Sequence, residues 1–279
     1  MAYDLEGLRS ILKNALPRLD PLFLSEWTEN CVEAVYRHVL QPGDTAVDVG
    51  AHRGRHALPM AELVGFDGKV YAIEASSVMA EKLRAAVNHS NVRHARRIVR
   101  VTQVAISDRR GTANFTYIPA AAGLSGLKSD DIAASKGGGL TEEVKVERVD
   151  DVIPDSERRV TFIKIDVEGA EFPALKGARK TLDRCRPVVS FENTSWTGMK
   201  RFNYKAEELF AFIDRVNYDL YTPLGTRFDA SWINGLQPGQ LFATPREMTN
   251  ALPTLIAPAM IDAFASTWAQ LRGHAKAAE

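Results

Sequence analysis

Apolar and polar positions follow two periods along the chain. From about Leu5 to Leu40 apolar residues recur at helical spacing, with Trp27, Cys31, Val35 and Val39 on one stripe. Pro17 and Pro21 divide this stretch into two helices. Gln41-Pro42-Gly43-Asp44 reads as a turn, and beyond it short apolar runs alternate with amphipathic stretches. Thr45 to Val49, Lys69 to Ile73, Ile98 to Ala105, Thr161 to Ile165 and Pro187 to Phe191 read as five buried strands. Helices are expected after Gly50 through about Val64, over Ser77 to His89, after strand four through Leu182, and over Ala206 to Val216. Tyr218 to Thr222 and Gln240 to Ala243 read as closing edge strands, and the tail from Ala259 to Ala277 has the composition of a helix. Strands separated by helices imply βαβ units, so the expected fold is α/β, a Rossmann-like, mostly parallel sheet with an antiparallel edge strand.

One segment breaks the rhythm. Ala113 to Ile118 and Glu143 to Val149 read as a strand pair. The stretch between them, Pro119 to Thr141, contains Ala120-Ala121-Ala122-Gly123 and Gly137-Gly138-Gly139. So much Gly, Ala and Ser buries little core, so a flexible insertion over 119–142 is expected, either a surface loop or a lid over substrate. The chain then divides into an N-terminal helical segment, 1–43, a central α/β domain, 44–247, and a C-terminal helical tail, 248–279. The terminal helices offer a dimer surface, which makes a homodimer a candidate assembly.

Composition adds exclusions. Of 279 residues, 45% are hydrophobic and 25% charged, with Lys plus Arg and Asp plus Glu equal at 35 each. A neutral balance gives no electrostatic case for nucleic acid as partner. The basic run Arg93, His94, Arg96, Arg97 and Arg100 reads as a solvated face. No apolar run is long enough for stable membrane insertion. The N-terminus lacks a secretory apolar core. The two cysteines, Cys31 and Cys185, sit in apolar patterns with no zinc spacing. A cytoplasmic protein is the expectation.

The candidate chemistry begins at Val47-Asp48-Val49-Gly50-Ala51-His52-Arg53-Gly54, a strand running into a glycine turn and a helix. Gly50 permits close approach of a ligand to backbone, and Gly54 lets the helix pack close. His52 stands where a dinucleotide fingerprint has its second glycine, which argues against a pyrophosphate pressed onto this turn. S-adenosylmethionine (SAM) has no phosphate, and Asp48 is placed toward its ammonium. Glu74 closes strand two about 20 residues on, where an acid accepts the ribose hydroxyls of an adenosine ligand. Asp108 follows strand three, beside the adenine in a sheet ordered 3-2-1-4-5; Ser107-Asp108-Arg109-Arg110-Gly111 equally reads as a plain turn.

The densest constellation is Ile163-Lys164-Ile165-Asp166-Val167-Glu168-Gly169-Ala170-Glu171, an apolar strand delivering three carboxylates within six residues. Asp166 falls at the strand's carboxyl end, where open α/β sheets bind ligands. Glu168 and Glu171 also suit a helix N-terminus. With Val47 to Ala51, Glu74, Val104 to Asp108, Ala174 to Ala178 and Pro187 to Glu192, this stretch resembles the FkbM family of SAM-dependent methyltransferases from about Asp44 to Glu192. His52-Arg53 and Arg55-His56 depart from the family pattern, and a cation there suits the methionine carboxylate or an anionic substrate.

The resemblance implies a class I methyltransferase sheet and SAM-dependent O-methylation of a hydroxyl on a sugar, oligosaccharide or glycoconjugate, or on a polyketide-like natural product. Cofactor residues are then Asp48, Gly50, Ala51, Gly54, Glu74, Ala75, Ala105, Ser107, Asp108 and Asp166. A sugar hydroxyl is a weak acid and needs a base or a metal. Asp166, Glu168, Glu171, His52 and His56 are candidate bases. Asp166, Glu192 and Asn193, at two adjacent strand ends, are candidate ligands for Mg²⁺ or Mn²⁺. Glu192, Trp196 and Tyr204 are candidate acceptor contacts, the last two able to stack on a sugar ring. Two rivals share the sheet: an NAD-dependent oxidoreductase, and a SAM-binding module without catalysis.

Overall fold

The computed structural model describes residues 21–193, 195–230 and 239–248, with 263, 264 and 267. Helix α1 (Pro21–Val39) has a proline at its first described residue, where a pre-set φ suits a helical turn. The expected helix before it lies outside the described residues. The alternation then runs β1 (Thr45–Val49), α2 (Ala57–Val64), β2 (Lys69–Glu74), α3 (Ser77–His89), α4 (Ala95–Ile98) and β3 (Val99–Gln103). After the insertion come β8 (Val160–Ile165), α7 (Glu171–Gly177), α8 (Arg179–Cys185), β9 (Val188–Glu192), α9 (Ser195–Phe202) and α10 (Ala206–Arg215). The chain closes through β10 (Tyr218–Tyr221), β11 (Arg227–Phe228) and β12 (Gln240–Pro245).

These strands form one eight-stranded sheet ordered β11-β10-β12-β9-β8-β1-β2-β3. From β3 to β9 every pairing is parallel, and β12 runs antiparallel to both of its neighbours, β9 and β10. This is the expected 3-2-1-4-5 order. The two late strands are not both at the edge: β12 lies between β9 and β10, and the short β11 forms the edge. Both faces are covered. Val47, Val49, Ile163 and Ile165 pack with Phe172 and Leu175 of α7 and Leu209 and Phe212 of α10. Ala46, Val70, Ala72 and Phe162 pack with Tyr36 of α1, Met60 of α2 and Leu83 of α3. Burial on both faces is why the strands read as continuous apolar runs.

Two expected elements are divided. Strand three stops at Gln103, and β4 (Ala105–Ile106) leaves the main sheet to pair with β7 (Leu140–Glu147). The helix after β8 breaks at Ala178. There the chain runs so close to the strand-three turn that a Cβ on Gly177 would overlap the Ser107 carbonyl. The insertion builds a second sheet, β4-β7-β5-β6, with β5 (Gly111–Tyr117) and β6 (Gly126–Leu127). The stretch read as loop carries a 3₁₀ turn (Pro119–Leu124), β6, α5 (Asp130–Ser135) and the start of β7, and α6 (Val149–Val152) follows β7. Polar side chains supply what the sparse apolar residues do not. Thr116 Oγ1 donates to Asp130 at 2.6 Å, and Ser125 Oγ accepts from the Ile118 N–H at 2.9 Å. Of the tail, Ala263, Phe264 and Thr267 are helical, with Phe264 edge-on to Phe23 of α1.

Phe162 is fully buried between β1 and β9 with the Tyr36 ring 5.7 Å away. Phe162→Ala is expected to cost about 3–5 kcal/mol, because it removes a large apolar group from a site walled by sheet and helix. Denaturant unfolding, read as a lower midpoint at unchanged slope, measures it.

Candidate active site

The carboxyl ends of β1, β2 and β8 meet at one point. Gly50, with φ of 80°, turns the chain out of β1, and its N–H and that of Ala51 donate to the Ile73 carbonyl of β2 at 2.9 and 3.0 Å. On the other side the Asp166 N–H donates to Val49 O at 3.0 Å. A Cβ on Gly50 would overlap the Asp166 carbonyl oxygen, so no larger residue lets β1 and β8 end together. His52, in the place of a second glycine, also has a left-handed φ, 48°. Its N–H donates to Glu74 Oε2 at 2.8 Å, and the Ser76 N–H donates to Glu74 Oε1 at 2.9 Å. Glu74 is thereby fixed at the end of β2. Burial raises its pKa, and the two N–H groups hold it back.

The end of β8 is acidic. One carboxylate oxygen each from Asp166, Glu168 and Glu192 lie within 4.8 Å of one another. Burial raises the pKa of Glu168, and the neighbouring charges of Glu192, Asp166 and Glu171 add to it. Glu192 is raised the same way, by burial and then by Asp166 and Glu171. Glu192 Oε2 is buried with no hydrogen-bond partner among the described residues. Glu168 sits at φ 54° in the turn beyond Asp166, and its carbonyl accepts from Arg201 Nη1 at 3.1 Å. Glu171, also buried, is turned back into the backbone: its Oε1 accepts the Val167 and Gly169 N–H groups, each at 3.0 Å.

Beneath this cluster lies a cation. Lys164 is buried on β8, with Nζ 3.0 Å from Asp166 Oδ2 and 3.8 Å from Asp48 Oδ1. Burial works against its charge, but Asp166, Asp48 and Glu29 outweigh it and hold the pKa above the ordinary lysine value. Glu29 comes from α1 and accepts from His56 Nε2 at 2.5 Å. Despite burial, the His56 hydrogen bond and the Lys164 charge bring its pKa down to about 2. Arg55 closes the same wall, its Nη1 and Nη2 on Glu26 of α1 at 3.1 and 2.9 Å.

Most of these groups line one cavity of about 440 Å³. Gly50, Ala51 and His52 line one side, Lys164, Asp166, Glu168 and Glu192 the floor, and Glu26 and Glu29 of α1 a wall. The other end is apolar, with Ile73, Ala75, Met79, Ala105 and Ile106, roofed by Phe115 and by Ala122 to Leu127 of the insertion. His52 carries a ring half-buried beside the turn. Burial, and next the Arg53 charge, lowers its pKa, and its Nε2 has no hydrogen-bond partner among the described residues.

Other expected residues stand elsewhere. Asp108 is ion-paired with Lys176 of α7 at 2.5 Å and is not in the cavity lining. Gly54 and Ser107 shape the turns behind it: the Gly54 N–H donates to Ala51 O, and the Ser107 N–H to Glu147 O. The Tyr204 ring packs on Phe172 at 4.8 Å, outside the lining. Trp196 lies on α9, and its side chain is outside the described residues. The Asn193 N–H closes the strand end on Gly239 O. Of the expected ligand set, Asp166 and Glu192 meet, with Glu168 as their third carboxylate. Sequence reasoning passed over Lys164, Glu26 and Glu29. A lysine inside an apolar strand was the available signal for the first, whereas the glutamates belong to a distant helix.

The methyltransferase FkbM domain profile matches residues 48–220. A curated protein-L-isoaspartate O-methyltransferase from Ignicoccus hospitalis is 45% identical over 56 residues, 19% of this chain, and the chain spans only 26% of that relative's length. Among solved structures, an FkbM methyltransferase from Methylobacillus flagellatus superposes with a TM-score of 0.45 at 16% identity, covering 84% of this chain and 60% of its own. A SAM-dependent methyltransferase from Aquifex aeolicus gives 0.42 at 15%, covering 87% and 97%. The profile spans the glycine turn, the acids beyond β8 and the return strand β10, and the chain belongs to the FkbM family of SAM-dependent methyltransferases.

Proposed function

We propose that the chain O-methylates a hydroxyl of a sugar, oligosaccharide or glycoconjugate acceptor, with SAM as donor. The observation that carries this is a single cavity in which an adenosine-type end, Glu74 with the apolar Ala75 to Ile106 pocket, adjoins a cluster of carboxyls. In this reading Gly50 and Ala51 lie along the methionine moiety, Glu74 accepts the ribose hydroxyls, and Asp166 takes the ammonium. Glu26, Glu29 and Glu192 face the acceptor and accept from its hydroxyls. An acceptor of another natural-product class is the second reading. The acceptor end is polar and acidic throughout, which favours the carbohydrate.

SAM supplies a methyl group on a sulfonium, and the acceptor oxygen forms its bond to carbon as the carbon–sulfur bond breaks. The chain holds that oxygen in line and takes up its proton. Four side chains are placed to take the proton: His52, whose pKa is lowered by burial and then by the Arg53 charge, and Asp166, Glu168 and Glu192. Glu171 is committed to two backbone donors and shapes the turn. A divalent ion fits the same three carboxylates. The buried, unpartnered Oε2 of Glu192 and the raised pKa of both glutamates are what a dication reverses. Asp166, Glu168 and Glu192 would hold Mg²⁺ or Mn²⁺, which would supply Lewis acidity toward the acceptor hydroxyl. The setting proposed is the cytoplasm, where SAM is at hand; no helix among the described residues is long and apolar enough to cross a membrane.

Three outcomes test this. Incubation with SAM and a panel of sugars, oligosaccharides and aglycones is expected to give a 14-dalton mass gain on a hydroxyl-bearing saccharide. Gain confined to carboxylates or amines rejects methylation of a hydroxyl. Glu74→Gln, which keeps one acceptor oxygen, is expected to weaken SAM by about tenfold or more in calorimetry, since a buried acceptor is lost to the ribose.

The third is a pH dependence. Glu168 and Glu192 have folded pKa values raised above their unfolded ones, so their contribution to stability is complete at low pH and is lost as pH rises through the folded values. The melting temperature of the cofactor-free chain is expected to fall as pH rises above the ordinary glutamate range. The double variant Glu168→Gln with Glu192→Gln flattens that fall, and so does added Mg²⁺ or Mn²⁺. A slope unchanged by the metals removes the metal from the proposal.

A further inference from the structure

Lys164 costs the fold a buried cation. Its side chain is 5% exposed, on the central strand of the sheet, where an apolar residue packs more cheaply. The groups facing it come from three elements: Asp48 on β1, Glu29 on α1, and Asp166 beyond the end of β8. Asp48 is the natural partner for a purely structural pair. It is Lys164's cross-strand neighbour in the β1–β8 register, and at 1% exposure the most deeply buried of the three. The ammonium does not close on it. Nζ stays 3.8 Å from Asp48 Oδ1, and neither Asp48 oxygen has a hydrogen-bond partner among the described residues. The hydrogen bond goes instead to Asp166 Oδ2 at 3.0 Å, although the Asp166 side chain is 30% exposed and stands at the cavity. A buried aspartate is left without a donor so that the site carboxylate has one.

We infer that Lys164 is a positioning residue: it holds the Asp166 carboxylate in a single orientation at the end of β8, ready for the cofactor. The inference rests on the assignment of Asp166 to SAM made above. The physical gain is preorganisation. An aspartate beyond a strand end is free to rotate, and ordering it on binding costs affinity. A donor fixed in the sheet removes that cost in advance, as partners behind a ligand-binding group commonly do. Lys164 itself is poorly placed to bind an anion, because three acids already surround it.

Calorimetry of SAM binding in the presence of EDTA tests this without any acceptor. Lys164→Met and Asp166→Asn are each expected to weaken SAM by about tenfold or more. The double variant is expected to bind within about twofold of Asp166→Asn alone, since a residue acting through Asp166 has nothing left to act on. Lys164→Arg, which keeps the cation, recovers most of the loss. Full addition of the two losses in the double variant overturns the inference, as does a Met variant that binds SAM like the native chain. If Lys164→Met alone does not fold, the double variant removes one cation and one anion together. It is then compared with Asp166→Asn, and weaker binding in the double overturns the inference. Native affinity in Asp166→Asn rejects the cofactor assignment itself, whereas loss there with none in Lys164→Met rejects only the role of Lys164.

Discussion

Gly50 lies against the carbonyl oxygen of Asp166, and everything at the site is built around that contact. Two parallel strands can end side by side and still leave room for a ligand only if one of them turns without a side chain. Gly50 does so at positive φ. Its N–H and that of Ala51 are spent on β2, and the Asp166 N–H on β1. The three strand ends are thus laced together by backbone. Glu74, Asp166 and His52 thereby line one cavity.

The second constraint is electrostatic. Seven carboxylates surround the cavity or lie beneath it: Glu26, Glu29, Asp48, Glu74, Asp166, Glu168 and Glu192. Buried acids in such number repel one another. Three devices moderate the repulsion. Backbone N–H groups hold Glu74, Lys164 sits among Asp48, Glu29 and Asp166, and His56 pairs with Glu29. Glu168 and Glu192 receive the least of this, and their pKa values are raised accordingly. The unrelieved repulsion is therefore greatest at the acceptor end, beyond the glycine turn, where it favours protonated carboxyls.

Helix α1 and the insertion make the cavity out of what is otherwise an open strand end. Through Glu26 and Glu29, α1 grips Arg55 and His56 just after the turn. The insertion roofs the apolar end with Phe115 and the 3₁₀ turn, and is anchored across the site by Lys128, whose Nζ donates to Arg201 O at 3.0 Å. Arg201 in turn holds the Glu168 carbonyl. Roof, acid turn and α9 thus form one connected chain of contacts.

Much of this was legible in the residues. An apolar run bounded by a turn and a glycine, followed by a helical stripe, has few readings, and five repeats of it specify a parallel sheet. Glu74 and Asp166 were legible because their place at strand ends follows from the strands themselves. What the residues did not reveal depends on neighbours distant in sequence. Asp108 had the right strand end, but Lys176 on α7 claims it. Tyr204 had the right chemistry for a sugar, but Phe172 holds its ring. Glu168 joins Asp166 and Glu192, because its left-handed backbone turns the chain at the strand end.

Lys164 shows the division most plainly. The sequence by itself determined that a lysine stands in a buried strand two residues before Asp166. Which of the three surrounding acids receives its proton donor is a matter of ångströms between β1, β8 and α1, and only the packing of those three elements decided it.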